Sequence, residues 1–291
     1  MNVIWSKYIQ GANTLYYSRK LRFNDMFASR YEELFGLDKD KKLKILEIGC
    51  GPGALASALL RWYPNAEITA IDRDSEFISF AKEHESGVRF LEGDATALPF
   101  DDGTFDVTVS NTVSEHIEPT KFFGEQKRVL KEGGVCLLLS SRRGISSAPE
   151  YWNETDIEKD FWRKAEELDQ TFEKYEVCRY PMSESQLPAA MERYGFRNIS
   201  TGFVSIALTP DDPKCPPSMA CEIINARRLA KLDSINSVIC SHPHIFTKEE
   251  GERIKALAQQ KYDKRLDDYN RGIKHWDTAL SIIMVLRGIK L

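Results

Sequence analysis

The sequence predicts a doubly wound α/β sheet with helices on both faces. Two observations predict it. Short apolar, partly β-branched stretches alternate with helix-forming ones from residue 43 to residue 140. One junction between them, Leu43-Lys-Ile-Leu-Glu-Ile-Gly-Cys-Gly-Pro-Gly-Ala54, passes from strand to tight turn to helix. Ile45, Leu46 and Ile48 supply the strand, and Gly49, Gly51 and Gly53 follow at every second position. Ala54, Leu55, Ala56, Ala58, Leu59 and Leu60 then form a helix. Glycines there permit positive φ and let a ligand approach the bare backbone. The free N–H groups and positive dipole end of the helix face an anionic or polar group. The junction reads as a nucleotide-type cofactor site.

With 291 residues, there is room for one large α/β domain with insertions or for two modest domains. A hydrophobic content of 42% with 29% charged residues describes an ordinary soluble protein. The net charge of -4 gives no whole-protein case for nucleic acid or an anionic membrane, so neither is expected as a partner. The opening Met-Asn-Val-Ile-Trp-Ser-Lys has no basic region followed by an apolar run, and no signal peptide is expected. The run Ala279 to Leu286 is too short to span a bilayer and suits a buried strand. Six scattered cysteines, with Cys136 inside an apolar strand, fit a reduced cytoplasmic setting.

Taken in order, residues 2–36 carry aromatic and aliphatic residues at near three-and-four spacing, the pattern of amphipathic helices. Gly36 and the charged stretch Asp38 to Lys42 separate them from the first strand. The helix after the glycine turn stops at Pro64, and Ala66 to Ile71 is a second strand ending at Asp72. A carboxylate there can accept both hydroxyls of a ribose, while Asp74 and Ser75 open the next helix. Val88 to Leu91 is a third strand, followed by Glu92-Gly-Asp-Ala-Thr-Ala-Leu-Pro-Phe100. Phe105 to Ser110 is the fourth, followed by Asn111-Thr-Val-Ser-Glu-His-Ile117. A helix from Thr120 to Lys131 ends at Gly133-Gly134, before a fifth strand from Val135 to Ser140. Gly49-x-Gly51-x-x-Ala54, with Asp72 placed 23 positions after Gly49, also satisfies the loose dinucleotide fingerprint.

The longer string Glu47-x-Gly49-x-Gly51-x-Gly53 resembles motif I of the class I methyltransferases that use S-adenosylmethionine (SAM). Gly93-Asp94-Ala95 resembles that family's adenine-recognising stretch, and Arg128-Val-Leu-Lys-Glu-Gly-Gly134 its approach to the fifth strand. The resemblance covers residues 41–145 well and 183–208 and 278–290 loosely. It implies a Rossmann-like sheet of seven strands, the last antiparallel. It also implies that Gly49, Gly51 and Gly53 line the methionine end of SAM, that Asp72 holds the ribose, and that Glu47, Cys50 and Arg73 are among the cofactor-binding residues. Asp94 and Ala95 would hold the adenine, and Asn111 would sit beside the cofactor. Such enzymes often cover SAM with an N-terminal helical segment, here offering Tyr16, Tyr17 and Arg19, and a sulfonium is attracted to aromatic faces. His116 is the candidate general base. Glu115-His116 resembles the Glu-His pair of the ubiquinone-pathway O-methyltransferases. Thr112 stands where that group has an acid, which speaks against a metal-assisted or quinol-type mechanism.

The expected organisation is a helical cap at 1–40, a core at 41–145, an insertion at 146–182, core again at 183–209, a second insertion at 210–277 and a last strand at 278–291. Ser183-x-x-Gln186 looks like a capping box opening a helix, and Ile199 to Leu208 and Thr278 to Arg287 read as strands six and seven. The insertions suit a lid or a homodimer surface. Cys215, Cys221, Cys240, His242 and His244 match no usual ligand spacing, and no metal is expected. The activity implied is methyl transfer from SAM to a small-molecule oxygen or nitrogen, releasing S-adenosylhomocysteine. A SAM-binding protein without catalysis and an NAD-dependent oxidoreductase are the rival readings.

Overall fold

The computed structural model describes residues 5–149, 152–168 and 177–291. They fall into two compact units. A sheet unit lies within 22–143, 176–206 and 281–291, and a helical unit within 1–21, 144–175 and 207–280.

The sheet has seven strands, as the resemblance implies: β1 (Lys44–Ile48), β2 (Glu67–Asp72), β3 (Arg89–Glu92), β4 (Phe105–Asn111), β5 (Leu130–Ser147), β6 (Phe196–Leu208) and β7 (Thr278–Lys290). Their order is β3-β2-β1-β4-β5-β7-β6. β1 runs parallel to β2 and β4, β2 parallel to β3, and β4 parallel to β5. The chain therefore builds outward from β1 to β3, then returns to place β4 on the other side of β1. Ligands of open α/β sheets bind at such a reversal, beyond the carboxyl ends of the strands.

Ile45, Leu46, Glu47 and Ile48 are all buried, so β1 is covered on both faces. One apolar cluster joins Leu46, Ile48, Leu138, Met191 and Phe196 to Phe122, Phe123 and Val129 of α6 (Pro119–Val129). A second, aromatic cluster joins α3 (Ala28–Phe35) to α4 (Ala54–Trp62), with the Tyr31 and Trp62 rings stacked at 5.3 Å beside Phe23 and Phe35. This packing is why residues 22–40, grouped with the cap by sequence, count with the sheet. α5 (Ser75–His84) opens on Asp74, whose side chain accepts the Glu76 N–H. The capping pair before α8 (Gln186–Arg193) forms in both directions, Ser183 N–H to Gln186 Oε1 and Gln186 N–H to Ser183 Oγ. β5 starts five residues earlier than the sequence suggests. Leu130 pairs with Phe105 and Val135 with Val107, so the Gly133-Gly134 pair is a bulge within the strand, not a turn before it.

The helical unit holds α1 (Trp5–Tyr8), α2 (Ala12–Arg22) up to Leu21, α7 (Asp156–Leu168), α9 (Pro217–Ser241) and α10 (Lys248–Asn270). Phe161, Ala165, Ile235, Phe246, Ile254 and Ala258 form its core. Thr247 and Glu250 cap α10 reciprocally. Arg265, 1% exposed, donates to Asp277 (2.9 Å) and Asp211 (2.8 Å), and Arg227 donates to Asp277 (2.5 Å). Tyr151, Phe172 and Tyr175 of the first insertion lie outside the described residues. No helix among those described is long and apolar enough to cross a membrane.

Candidate active site

The glycine turn leaves the carboxyl end of β1 and is stitched to the end of β2. Gly49 and Cys50 N–H both donate to Ile71 O (2.8 and 3.0 Å), and Gly51 N–H donates to Asp72 Oδ2 (2.8 Å). Gly49, Gly51 and Gly53 have φ of 68°, 54° and 90°. At Gly49 a Cβ would stand 2.4 Å from Val113 Cγ2, and at Gly53 it would stand 2.9 Å from the Phe90 ring. Both positions therefore need glycine for conformation and for space.

Asp72 Oδ1 accepts the Asp74 N–H (2.9 Å). Burial pushes its carboxyl pKa up, against the two backbone donors that hold it down. Each oxygen keeps a lone pair for a hydroxyl. Glu47, 2% exposed, sits mid-strand between Ala70 and Val109. The Cys50 thiol is pushed well up, by burial first and then by the Asp72 and Glu47 charges, and stays protonated. Arg73 is exposed, and its charge lowers the Asp72 pKa slightly.

At the end of β4, the Asn111 side chain is buried and its Oδ1 has no hydrogen-bond partner among the described residues. Such an acceptor calls for a donor. Thr112 then takes a left-handed φ of 54°, with its N–H on Leu139 O (2.8 Å), and Val113 turns back onto Gly49. His116 Nδ1 accepts the Cys178 N–H (2.9 Å), and Glu115 O accepts the Tyr180 N–H (2.8 Å). A lone pair at Nδ1 places the proton of the neutral ring on Nε2.

Asp94 is exposed, and its Oδ1 accepts both the Thr96 N–H and its hydroxyl (2.8 Å each). Gly93 N–H donates to Asp72 O (2.9 Å), which ties this loop and the half-buried Ala95 to β2. Arg128 clamps the loop's far end, donating to Leu98 O (2.9 Å) and Phe100 O (2.7 Å). Glu125 accepts from Arg128 Nε (2.7 Å) and from Leu98 N–H (2.6 Å). The geometry thus joins the glycine turn, Asp72, the Asp94 loop, Asn111 and His116 at one end of the strands. Tyr16 and Arg19 lie on α2, in the helical unit. Val113, Phe90 and the 178–180 strap carry no sequence signal of their role, whereas Arg128 lay in a recognised phrase.

A buried acceptor at Asn111, a carboxylate at Asp72 that makes no ion pair among the described residues and a bare glycine cradle fit a ligand with a ribose and a donor group. Residues 46–138 match the methyltransferase domain family. The fatty-acid O-methyltransferase of Mycolicibacterium smegmatis is 40% identical over 103 residues, 34% of this chain and 37% of that protein. The malonyl-[acyl-carrier protein] O-methyltransferase of Pectobacterium atrosepticum is 29% identical over 140 residues, 46% of this chain and 54% of that one. The matched segments thus span about a third to a half of these relatives. The SAM complex of Haemonchus contortus phosphoethanolamine N-methyltransferase 2 superposes with a TM-score of 0.53 at 16% identity, covering 98% of this chain and 59% of that one, a likeness of fold. The likeness to a methyltransferase domain thus falls on residues 46–138, the stretch that holds the glycine turn, Asp72, the Asp94 loop, Asn111 and His116.

Proposed function

We propose that the chain transfers a methyl group from SAM to an oxygen of a small-molecule acceptor, an acyl carboxylate being the class favoured. The observation that carries this is the orphaned Asn111 Oδ1 at the same strand ends as the Asp72 carboxylate and the glycine turn. Asp72 would accept the ribose hydroxyls, the Asp94–Ala95 backbone would meet the adenine, and Asn111 would accept from the amino group at the methionine end. SAM supplies, when bound, a methyl carbon already activated by a positively charged sulfur. This chain's residues then have to align the acceptor oxygen and exclude water.

The His116 Nδ1 is occupied by a backbone donor, and its other nitrogen carries the proton in the neutral ring. An acceptor ionised at neutral pH needs no base, and a carboxylate meets that condition. The names of the two O-methyltransferase relatives, one for fatty acids and one for malonyl-acyl carrier protein, support the same class. His116 then serves to hold the 178–180 strap. The six cysteines, all free, support a reducing cytoplasmic setting.

Calorimetric titration with S-adenosylhomocysteine, with NAD alongside, tests the cofactor: binding of the former alone is expected, and of NAD alone overturns the reading. Labelled SAM with a fatty acid tests the acceptor. Its pH–rate profile should show no imidazole limb near about pH 6.5. His116→Ala should slow turnover without changing the profile's shape; a limb present in wild type and lost in that variant would restore the base role.

A further inference from the structure

Among the described residues, four non-glycine residues hold a left-handed backbone: Thr112, Cys178, Asn198 and Trp276. The first two shape the strand ends discussed above. Trp276 has no such role, yet a bulky aromatic residue is the least suited of the four to that conformation. Its φ is 55° and its side chain is 54% exposed. Asp211 holds it there, accepting the Trp276 N–H (2.9 Å) and the His275 N–H (2.8 Å) on one carboxylate oxygen. Asp211 is itself buried and bonded to the buried Arg265. A rigid ionic base thus keeps an indole in water, against both backbone preference and the hydrophobic effect.

We propose that residues 271–276 are an anchor that seats the protein on an anionic lipid surface. The loop reads Arg271-Gly-Ile-Lys-His-Trp276, with two large apolar side chains, three basic ones and no acid. Ile273 is exposed as well, and Lys274 Nζ lies 5.1 Å from the Trp276 ring. Arg271 faces Asp267 at 3.3 Å, and His275 is bonded to Asp268, which Lys264 neutralises. Lys274 makes no ion pair among the described residues. An indole with a neighbouring aliphatic side chain enters the interfacial layer, and lysine beside it meets the lipid phosphates. The net charge of -4 confines this attraction to the loop and makes it local.

The test is sedimentation of the full chain with vesicles of phosphatidylcholine alone or mixed equally with phosphatidylglycerol. Binding is expected only to the mixed vesicles, weakening as salt rises. Trp276→Gly, which relieves the backbone, should reduce partitioning by roughly tenfold while the thermal midpoint stays level or rises. Lys274→Glu should reduce it by at least about fivefold, and this variant decides the matter if the first fails to fold. The proposal is overturned if neither vesicle binds, or if both variants bind like wild type. A wild-type dimer by light scattering that Trp276→Gly dissolves, without vesicle binding, would assign the loop to a second copy instead and overturns it too. No methyl transfer enters the readout, so failure here leaves the active-site reading intact.

Discussion

At Gly49 a single hydrogen atom decides the geometry of the cofactor turn. A methyl there meets Val113 at 2.4 Å and inherits a φ of 68°. The conformational part alone costs about 1–2 kcal/mol. Gly49→Ala is expected to lower the thermal midpoint and to weaken S-adenosylhomocysteine by at least about tenfold. Adding Val113→Ala removes the overlap but not the strain, so calorimetry should show partial recovery; full independence of the two changes would refute the contact. The glycines and Asp72 were legible because their chemistry is written in consecutive residues. Val113, Phe90 and Cys178 were not, since each acts on a partner far along the chain and belongs to a residue type with no signature.

The loop after β3 is an element whose shape is set from outside. Arg128 and Glu125, one turn apart on α6, take up the carbonyls of Leu98 and Phe100 and the N–H of Leu98. Arg128→Ala is expected to remove roughly 2 kcal/mol of stability, read by denaturant unfolding, and to weaken the adenine end of the cofactor more than that loss explains. Arg128→Lys should not restore it, because one ammonium cannot reproduce the forked donors. Strand and helix positions were legible from period alone for β1, β2, β3 and β4. The start of β5 was not, because a Gly-Gly pair reads as a turn and here forms a bulge. α10 is rich in charged residues, and a charge run reads as a solvent face, so nothing in it disclosed that Arg265 and Asp268 are buried.

Over the whole molecule, acid reaches the two units at different pH. The raised Asp72 pKa means that its carboxylate begins to protonate above its usual 3.8, and a protonated oxygen accepts poorly from ribose. In the helical unit, burial opposes ionisation of Asp211 and Glu158. Backbone donors with Arg265, and Lys261 with Thr155, outweigh it, so both carboxyls are held below their usual values. Depressed groups contribute stability above their unfolded pKa and lose it as pH falls through the folded one. On acidification, cofactor affinity followed by calorimetry should therefore fail first, and helicity followed by far-ultraviolet circular dichroism only at lower pH. The reverse order would contradict both shifts. The strand order has a temporal consequence. β7 lies between β5 and β6, yet about seventy residues of helix and loop separate β6 from it in sequence. Until that hairpin of helices has formed and β7 has arrived, the edges of β5 and β6 stand open, each a template for a stray strand. Assembly is thereby slowed by a late, long-range closure, and crowding during synthesis or refolding at high concentration will divert chains at that step.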